Sequence, residues 1–332
     1  MAASQHDKVR EKRQRFRQLL TRDKITVMPG GFGPLYARMA QEAGFEAFFL
    51  AGSQLSMMLY AVPDNGIIGL RDLVDHARHM AARCDIPIFV DGDTGYGNAI
   101  NVFYAVQEIV RSGVAAMHIE DQEAPKKSGT AAGRRCIPLD EAVGKYQAAA
   151  AARDEIDPDF VICARCDAIG AEGSSFDDAL ARSIAYVEKG GADFVWLNTV
   201  STRDDIRRAC KEIPAPVLAI WGGDGPAPSP AEYEAMGVRI ALYPTFTSTY
   251  AVQAIWQLLN DFRERGPEAL AERSAAARAT RWGLLDQKTM AGAERIGEIE
   301  KRYLPAEAQR DYAHTWGHRY TFEREGGAKK PE

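Results

Sequence analysis

Residues 88 to 99, IFVDGDTGYGNA, run three apolar positions into Asp91 and Asp93, followed by Thr94, Gly95, Tyr96 and Gly97. If the run is a β-strand, side chains two positions apart share one side of it. Two carboxylates held together repel unless a proton or cation lies between them. A hard divalent ion suits such oxygen ligands, with Mg²⁺ the first choice and Mn²⁺ the alternative. A strand ending in an Asp- and Gly-rich turn is also an ordinary structural junction, so this stretch alone leaves both readings open. Other chemistry-bearing residues lie far from it in sequence: Asp64, His118, Glu120, the loop residues Lys126 to Thr130, and Arg165.

The elements that would carry these residues emerge from the hydrophobic pattern. Apolar runs at 25–32, 47–52, 86–93, 115–121, 160–168, 193–198, 216–223 and 238–244 read as eight strands, each followed by a helix or by a loop and a helix. Their near-continuous Val, Ile and Leu content marks strands buried on both faces. Eight such units predict an α/β fold, a (β/α)₈ TIM-type barrel. A doubly wound sheet is the other candidate, but no GxGxxG stands after the first strand. The expected organisation is an N-terminal helix over 1–22, a barrel over 23–266, and a C-terminal helical arm over 267–332 that is disordered at its end. Such an arm commonly serves subunit contacts, so a homo-oligomer, dimer or tetramer, is expected.

Composition narrows the class. The chain has 332 residues, 46% hydrophobic, with a formal charge of −5. That leaves no basic footprint for nucleic acid, and no apolar run long enough for a membrane span. The Lys- and Arg-rich start reads as a solvated amphipathic helix rather than a signal peptide, since it lacks an apolar core. Five scattered cysteines fit a reducing cytoplasm. Cys163 and Cys166 fall on opposite faces of one strand and so do not read as a zinc or redox pair.

Barrel active sites collect at the C-terminal strand ends. There the chain would deliver Ala51, Gly52 and Ser53 with Asp64 beyond, then Asp91 and Asp93, then His118, Glu120 and Asp121, then Arg165 and Asp167, then Asn198, Trp221 and Thr245. Four carboxylates (Asp64, Asp91, Asp93 and Glu120) on one mouth need a cation, because burying unpaired charge costs several kcal/mol per group, roughly. Arg165 offers a bidentate partner for a substrate carboxylate. The loop EDQEAPKKSGTAAGRR reads as a lid that closes Lys126 and Lys127 over an anionic substrate. Met57, Met58, Leu59 and Trp221 could line a pocket or simply pack.

In combination, VDGDTGYGNA, HIEDQ-x-x-PKK-x-G, ARCDA, Pro63-Asp64 and Ala51-Gly52-Ser53 resemble the isocitrate lyase/phosphoenolpyruvate mutase superfamily over about residues 24 to 265. The resemblance implies a Mg²⁺-dependent enzyme that makes or breaks a C–C or C–P bond next to an enolate. It assigns the metal to Asp91 and mainly Asp93, helped by Glu120 and Asp64. It gives the substrate carboxylate to Ala51, Gly52, Ser53 and Arg165, with Asp64, Gly129, Thr130, Asn198 and Thr245 as further substrate contacts. Catalytic roles fall to Lys126, Ser128, Arg165, Glu120 and Tyr96, with His118 near the proton path.

The departures are specific. Where the lyase branch carries a cysteine in its gating loop this chain has Ser128, a far weaker acid; where that branch carries a Glu it has Asn198; and PKKSGT does not match the mutase loop. The expected function is therefore a C–C lyase acting on a substituted 2-hydroxy di- or tricarboxylate. An α-keto acid decarboxylase or a phosphonopyruvate hydrolase or mutase is the alternative, and a non-catalytic barrel is a third.

Overall fold

The computed structural model describes residues 4–280, 290–293, 295–311 and 315. Eight parallel strands close in chain order into a barrel: β1 (Thr26–Gly31), β2 (Phe48–Leu50), β3 (Ile88–Asp91), β4 (Ala116–Glu120), β5 (Val161–Cys166), β6 (Phe194–Val200), β7 (Val217–Trp221) and β8 (Ile240–Tyr243). β8 pairs back onto β1, from Thr26 opposite Ile240 to Pro29 opposite Tyr243. The expected (β/α)₈ barrel is therefore present.

Helices α1 (Gln5–Thr21), α2 (Pro34–Glu42), α3 (Gly52–Tyr60), α4 (Leu70–Arg83), α5 (Ala99–Arg111) and α6 (Leu139–Ile156) precede or follow the first strands. They are succeeded by α7 (Phe176–Glu188), α8 (Arg203–Glu212), α9 (Pro230–Ala235), α10 (Phe246–Arg265), α11 (Pro267–Arg278) and α12 (Arg295–Tyr303). Side-chain caps start several of them: Ser175 accepts from Asp178 N, Thr202 from Asp205 N and Ser229 from Glu232 N. None of the described helices is long and apolar enough to cross a membrane. The chain divides into two compact units, Met1–Thr249 and Tyr250–Glu332, so the division falls inside α10. The expected disordered end lies outside the described residues.

Strand alternation builds two cores. Phe49, Phe89, Ala116, Val161, Cys163, Phe194 and Trp196 fill the barrel interior. Phe48, Leu50, Ile88, Val90, Ile162, Ala164 and Cys166 face the surrounding helices. Cys163 and Cys166 thus point to opposite sides, as their spacing requires.

Two readings change. The Met- and Leu-rich stretch after β2 is helix α3, and Met57 and Leu59 are exposed on it. The N-terminal helix is not merely solvated: Phe16, Leu19 and Leu20 are buried in the barrel-interior core, with the Phe16 ring tilted against Phe89 and Phe194 at centroid distances of 5.9 and 6.1 Å. Arg13 is buried too, because it donates to the Val114 and Val110 carbonyls and pairs with Asp157.

Candidate active site

The period-two rule that fills the barrel with aromatic rings also delivers the polar site above them. Past the apolar layer, the inward row of each strand continues as Asp91 after Phe89, His118 and Glu120 after Ala116, Arg165 and Asp167 after Cys163, and Asn198 after Trp196. Asp91, His118, Glu120, Arg165, Asp167 and Asn198 are all buried.

Asp91 and Asp93 influence each other but make different contacts. Asp91 accepts from Gly52 N at 3.0 Å and from Asp93 N at 3.0 Å, and His118 Nε2 lies 3.2 Å from it. A side chain at position 52 would place its Cβ 2.9 Å from the Asp91 carboxyl carbon, so only glycine lets α3 begin there. Burial alone would raise the Asp91 pKa; His118, Lys126 and Arg165 overcome it and hold the carboxyl well below its ordinary range. His118, boxed by Phe49, Phe89 and Trp196, has its pKa pushed down by burial, against the pull of Asp91. Asp93 leaves the strand with φ of 53° and Tyr96 follows at 63°, two non-glycine residues in the left-handed region of one turn. Backbone strain of this kind collects at functional sites.

Asp93 instead joins Asp64 and Glu120 around a single cation. Lys126 Nζ, on the loop after β4, lies 2.9 Å from Asp64, 3.4 Å from Asp93 and 3.7 Å from Glu120. Lys126 is 3% exposed. Burial would lower its pKa, but the surrounding carboxylates raise it well above the ordinary lysine value. Burial raises Asp93, and raises Glu120 far more, despite Arg165 and Lys126.

Arg165 is the second cation. Its Nη1 lies 2.8 Å from Glu120 Oε2, its Nε lies 2.8 Å from Asp167 Oδ2, and its Nη2 donates to Asp167 Oδ1 at 2.9 Å. Its guanidinium carbon sits 4.8 Å from the Trp196 ring centre. Asn198 Nδ2 donates to Asp167 Oδ1 at 2.6 Å and to the Gly129 carbonyl at 2.7 Å.

The loop is folded down over these groups. Gln122 grips Lys127 at both backbone atoms, Asn65 donates to the Lys126 carbonyl at 3.0 Å, and Gln122 bridges to Cys136 at the loop base. Arg134 donates to the Ala131 and Ile169 carbonyls. Ser128 and Gly129 are half-buried, whereas Thr130 is exposed.

Of the other expected residues, Ala51 caps the start of α3 with its N–H on the Gly31 carbonyl, and the half-buried Ser53 stands in the first turn of that helix. Thr245 is half-buried at the β8 end; among the described residues no side-chain hydrogen bond ties it to the cluster. Tyr96 is half-buried, and burial and then Asp93 hold its hydroxyl protonated. Asp121 turns outward, accepting from Tyr186 and from Asp167 N at 2.6 and 2.8 Å.

Asp167 was expected at a strand end but given no role, and Trp196, Gln122, Asn65 and Arg134 had no place among the expected site residues. The inward parity of β5 and β6 was the available signal for the first two. An open cleft of about 690 Å³ at the β6 and β7 ends, lined by Arg203, Arg207 and Trp221, lies apart from the carboxylate cluster. Its cations are solvent-facing and paired with Glu232 and Asp204.

The donor set suits a hydrated hard cation. Three carboxylates face one positive centre, and neither oxygen of the fully buried Glu120 has an aligned hydrogen bond. Among the described residues no three metal-binding side chains are drawn together tightly enough to ligate one ion directly. Mg²⁺ asks for less, since it keeps several waters and needs only one or two carboxylates. The residues present therefore fit the ion.

Comparison with known proteins places this geometry. A family model described as phosphoenolpyruvate phosphomutase matches residues 16–263. The chain is 34% identical over 295 residues to 2,3-dimethylmalate lyase of Eubacterium barkeri, covering 87% of this chain and 97% of that one. It is 35% identical over 254 residues to 2-methylisocitrate lyase of Aeropyrum pernix, covering 76% and 80%. The structure of a phosphonopyruvate hydrolase in complex with oxalate and Mg²⁺ superimposes with a TM-score of 0.74 at 30% identity, covering 89% and 99%.

Proposed function

The chain belongs to the phosphoenolpyruvate mutase/isocitrate lyase superfamily and is an enzyme of it, and we propose that it is a Mg²⁺-dependent lyase that splits the C2–C3 bond of a substituted 2-hydroxy di- or tricarboxylate, of the methylisocitrate or alkylmalate type. The observation that carries the reading is the meeting of Asp64, Asp93 and Glu120 around one positive centre, with Arg165 2.8 Å from Glu120.

Asp93, Glu120 and Asp64 would hold the ion, with Asp91 ordering the turn beneath. When bound, the ion polarises the keto or enolate oxygen as a Lewis acid. The first turn of α3 offers the Ser53 N–H and hydroxyl to the substrate's α-carboxylate, where the helix dipole favours negative charge, and Arg165 flanks it. Glu120, buried beside Arg165, is the candidate to take the 2-hydroxyl proton. The C2–C3 bond then breaks: C2 becomes a carbonyl, and the electron pair passes onto the adjacent carboxylate as an enolate. Lys126 balances that charge, and Tyr96 or Ser128 lies on the path of the proton returned to C3. The lowered loop keeps water from the enolate.

Ser128 favours a second reading. A hydroxyl is a poor acid for an enolate carbon, and a decarboxylase or phosphonopyruvate hydrolase of the same superfamily releases a pyruvate enol that can take its C3 proton from solvent after leaving the site. Incubating the enzyme and Mg²⁺ with oxaloacetate, phosphonopyruvate, methylisocitrate and alkyl malates separates the two. Pyruvate or glyoxylate from the hydroxy acids supports the lyase; CO₂ or phosphate alone supports the second reading.

The enzyme is further proposed to be cytoplasmic and to assemble as a homotetramer through its C-terminal helices. Its five cysteines are free, and α10 exposes Tyr250, Ile255, Trp256, Leu259 and Phe262. The expected boundary between barrel and arm at residue 266 is kept as part of this proposal.

A further inference from the structure

Asp167 makes no hydrogen bond or ion pair with residues 126–131, and only Arg134 at the far end of the loop approaches it, at 4.0 Å; it sits between the loop and Arg165. Its carboxylate is fully buried. Oδ1 receives Arg165 Nη2 at 2.9 Å and Asn198 Nδ2 at 2.6 Å, and Oδ2 lies 2.8 Å from Arg165 Nε. The backbone N–H of Asp167 is pinned on Asp121 Oδ1 at 2.8 Å, and Asp121 is itself held by Tyr186. The backbone of Asp167 is therefore fixed, and its carboxylate is placed by Arg165 and Asn198 together.

Asn198 uses the same amide nitrogen for Asp167 and, at 2.7 Å, for the Gly129 carbonyl. Gly129 in turn lies against Arg165, where any Cβ would strike Nη2. Loop, amide, carboxylate and guanidinium thus form a closed ring. The strand geometry feeds it: the β6–β7 register shifts between Leu197 and Val200, and Thr199 takes a left-handed φ of 57°. The irregularity lies next to Asn198, at the point where it meets both Asp167 and Gly129.

We propose that Asp167 is a positioning residue that makes the seating of the loop and the orientation of Arg165 one event. A carboxylate that grips both partners lets an anion arriving at Arg165 be felt at Gly129, and the reverse. The inference rests on the proposed role of this site, but not on which acid is cleaved.

Amide hydrogen exchange of the loop peptide spanning 122–136, with and without oxalate plus Mg²⁺, tests it. Without ligand, Asp167→Asn speeds exchange of that peptide at least tenfold and leaves the peptides of β1 to β4 unchanged. Asn198→Ala does the same. In the wild type oxalate slows loop exchange, and in Asp167→Asn it no longer does. A merely structural role would instead speed exchange throughout the barrel. Unchanged loop exchange in either variant, or oxalate protection that survives in a folded Asp167→Asn protein, overturns the proposal. If Asp167→Asn does not fold, Asn198→Ala alone decides it. Failure of oxalate to bind the wild type indicts the reading of the site, while the ligand-free comparison still decides the role of Asp167.

Discussion

Replacing Gly129 by alanine puts a single methyl group where the loop meets Arg165. The new Cβ would run into Arg165 Nη2 and lie 2.9 Å from Asn198 Nδ2. Arg165 has nowhere to go, fixed by Glu120 and Asp167 at 2.8 to 2.9 Å and lying over Trp196. The loop must therefore rise, and the Asn198 bond to the Gly129 carbonyl is lost with it. Overpacking costs about 1–3 kcal/mol and the hydrogen bond about 1 kcal/mol. Together they disfavour the lowered loop by about 2–4 kcal/mol, or roughly 30- to 1,000-fold at 1.4 kcal/mol per decade. If turnover needs the lowered loop, kcat falls by a factor in that range, and trypsin cuts more rapidly after the exposed Lys127. The thermal midpoint stays put, because Gly129 belongs to neither core. A Gly129→Ala enzyme with wild-type kcat and wild-type trypsin resistance would refute the reasoning.

Three further outcomes follow from the same structure. Lys126→Ala removes the cation shared by Asp64, Asp93 and Glu120 and should lower kcat about 100-fold or more, read by steady-state kinetics; an unchanged rate would remove Lys126 from the chemistry. Phe16→Ala empties a fully buried site under the barrel and should cost about 3–5 kcal/mol in denaturant unfolding, whereas a loss under about 1 kcal/mol would mean that α1 does not close the barrel. His76, whose Nε2–H donates to the Phe32 carbonyl, has its pKa lowered by burial. The unfolded chain then binds the extra proton first, so stability falls as pH drops through about 6.5; His76→Gln should flatten that part of the stability–pH curve, and an unaltered slope would contradict it.

The barrel and its polar mouth were legible because one rule carries both. Alternation along a buried strand places Phe89, then Asp91, and likewise Ala116, His118 and Glu120, on the inner side. The rule stops where the strand stops. Asp93 meets Lys126 from a turn whose backbone leaves the sheet with φ of 53°, which alternation cannot foresee. The loop was legible as a lid, but its fastenings were not: Asn65 reaches Lys126 across 61 positions of sequence. Asp167 was visible at a strand end, yet its grip on Arg165 and Asn198 is a side-chain contact between neighbouring strand ends that no composition signal marks. α1 misled because its many charges suggest solvent, while Arg13 finds buried carbonyl partners about a hundred residues away.

The most direct test is the release of keto acid from 2,3-dimethylmalate by enzyme stripped with EDTA and then reloaded with Mg²⁺. The carboxylate cluster of Asp64, Asp93 and Glu120 predicts no cleavage by the stripped enzyme and pyruvate formation once Mg²⁺ is restored. Equal cleavage by the stripped enzyme would contradict the account. So would a reloaded enzyme that leaves this malate and every other 2-hydroxy acid untouched while it decarboxylates oxaloacetate.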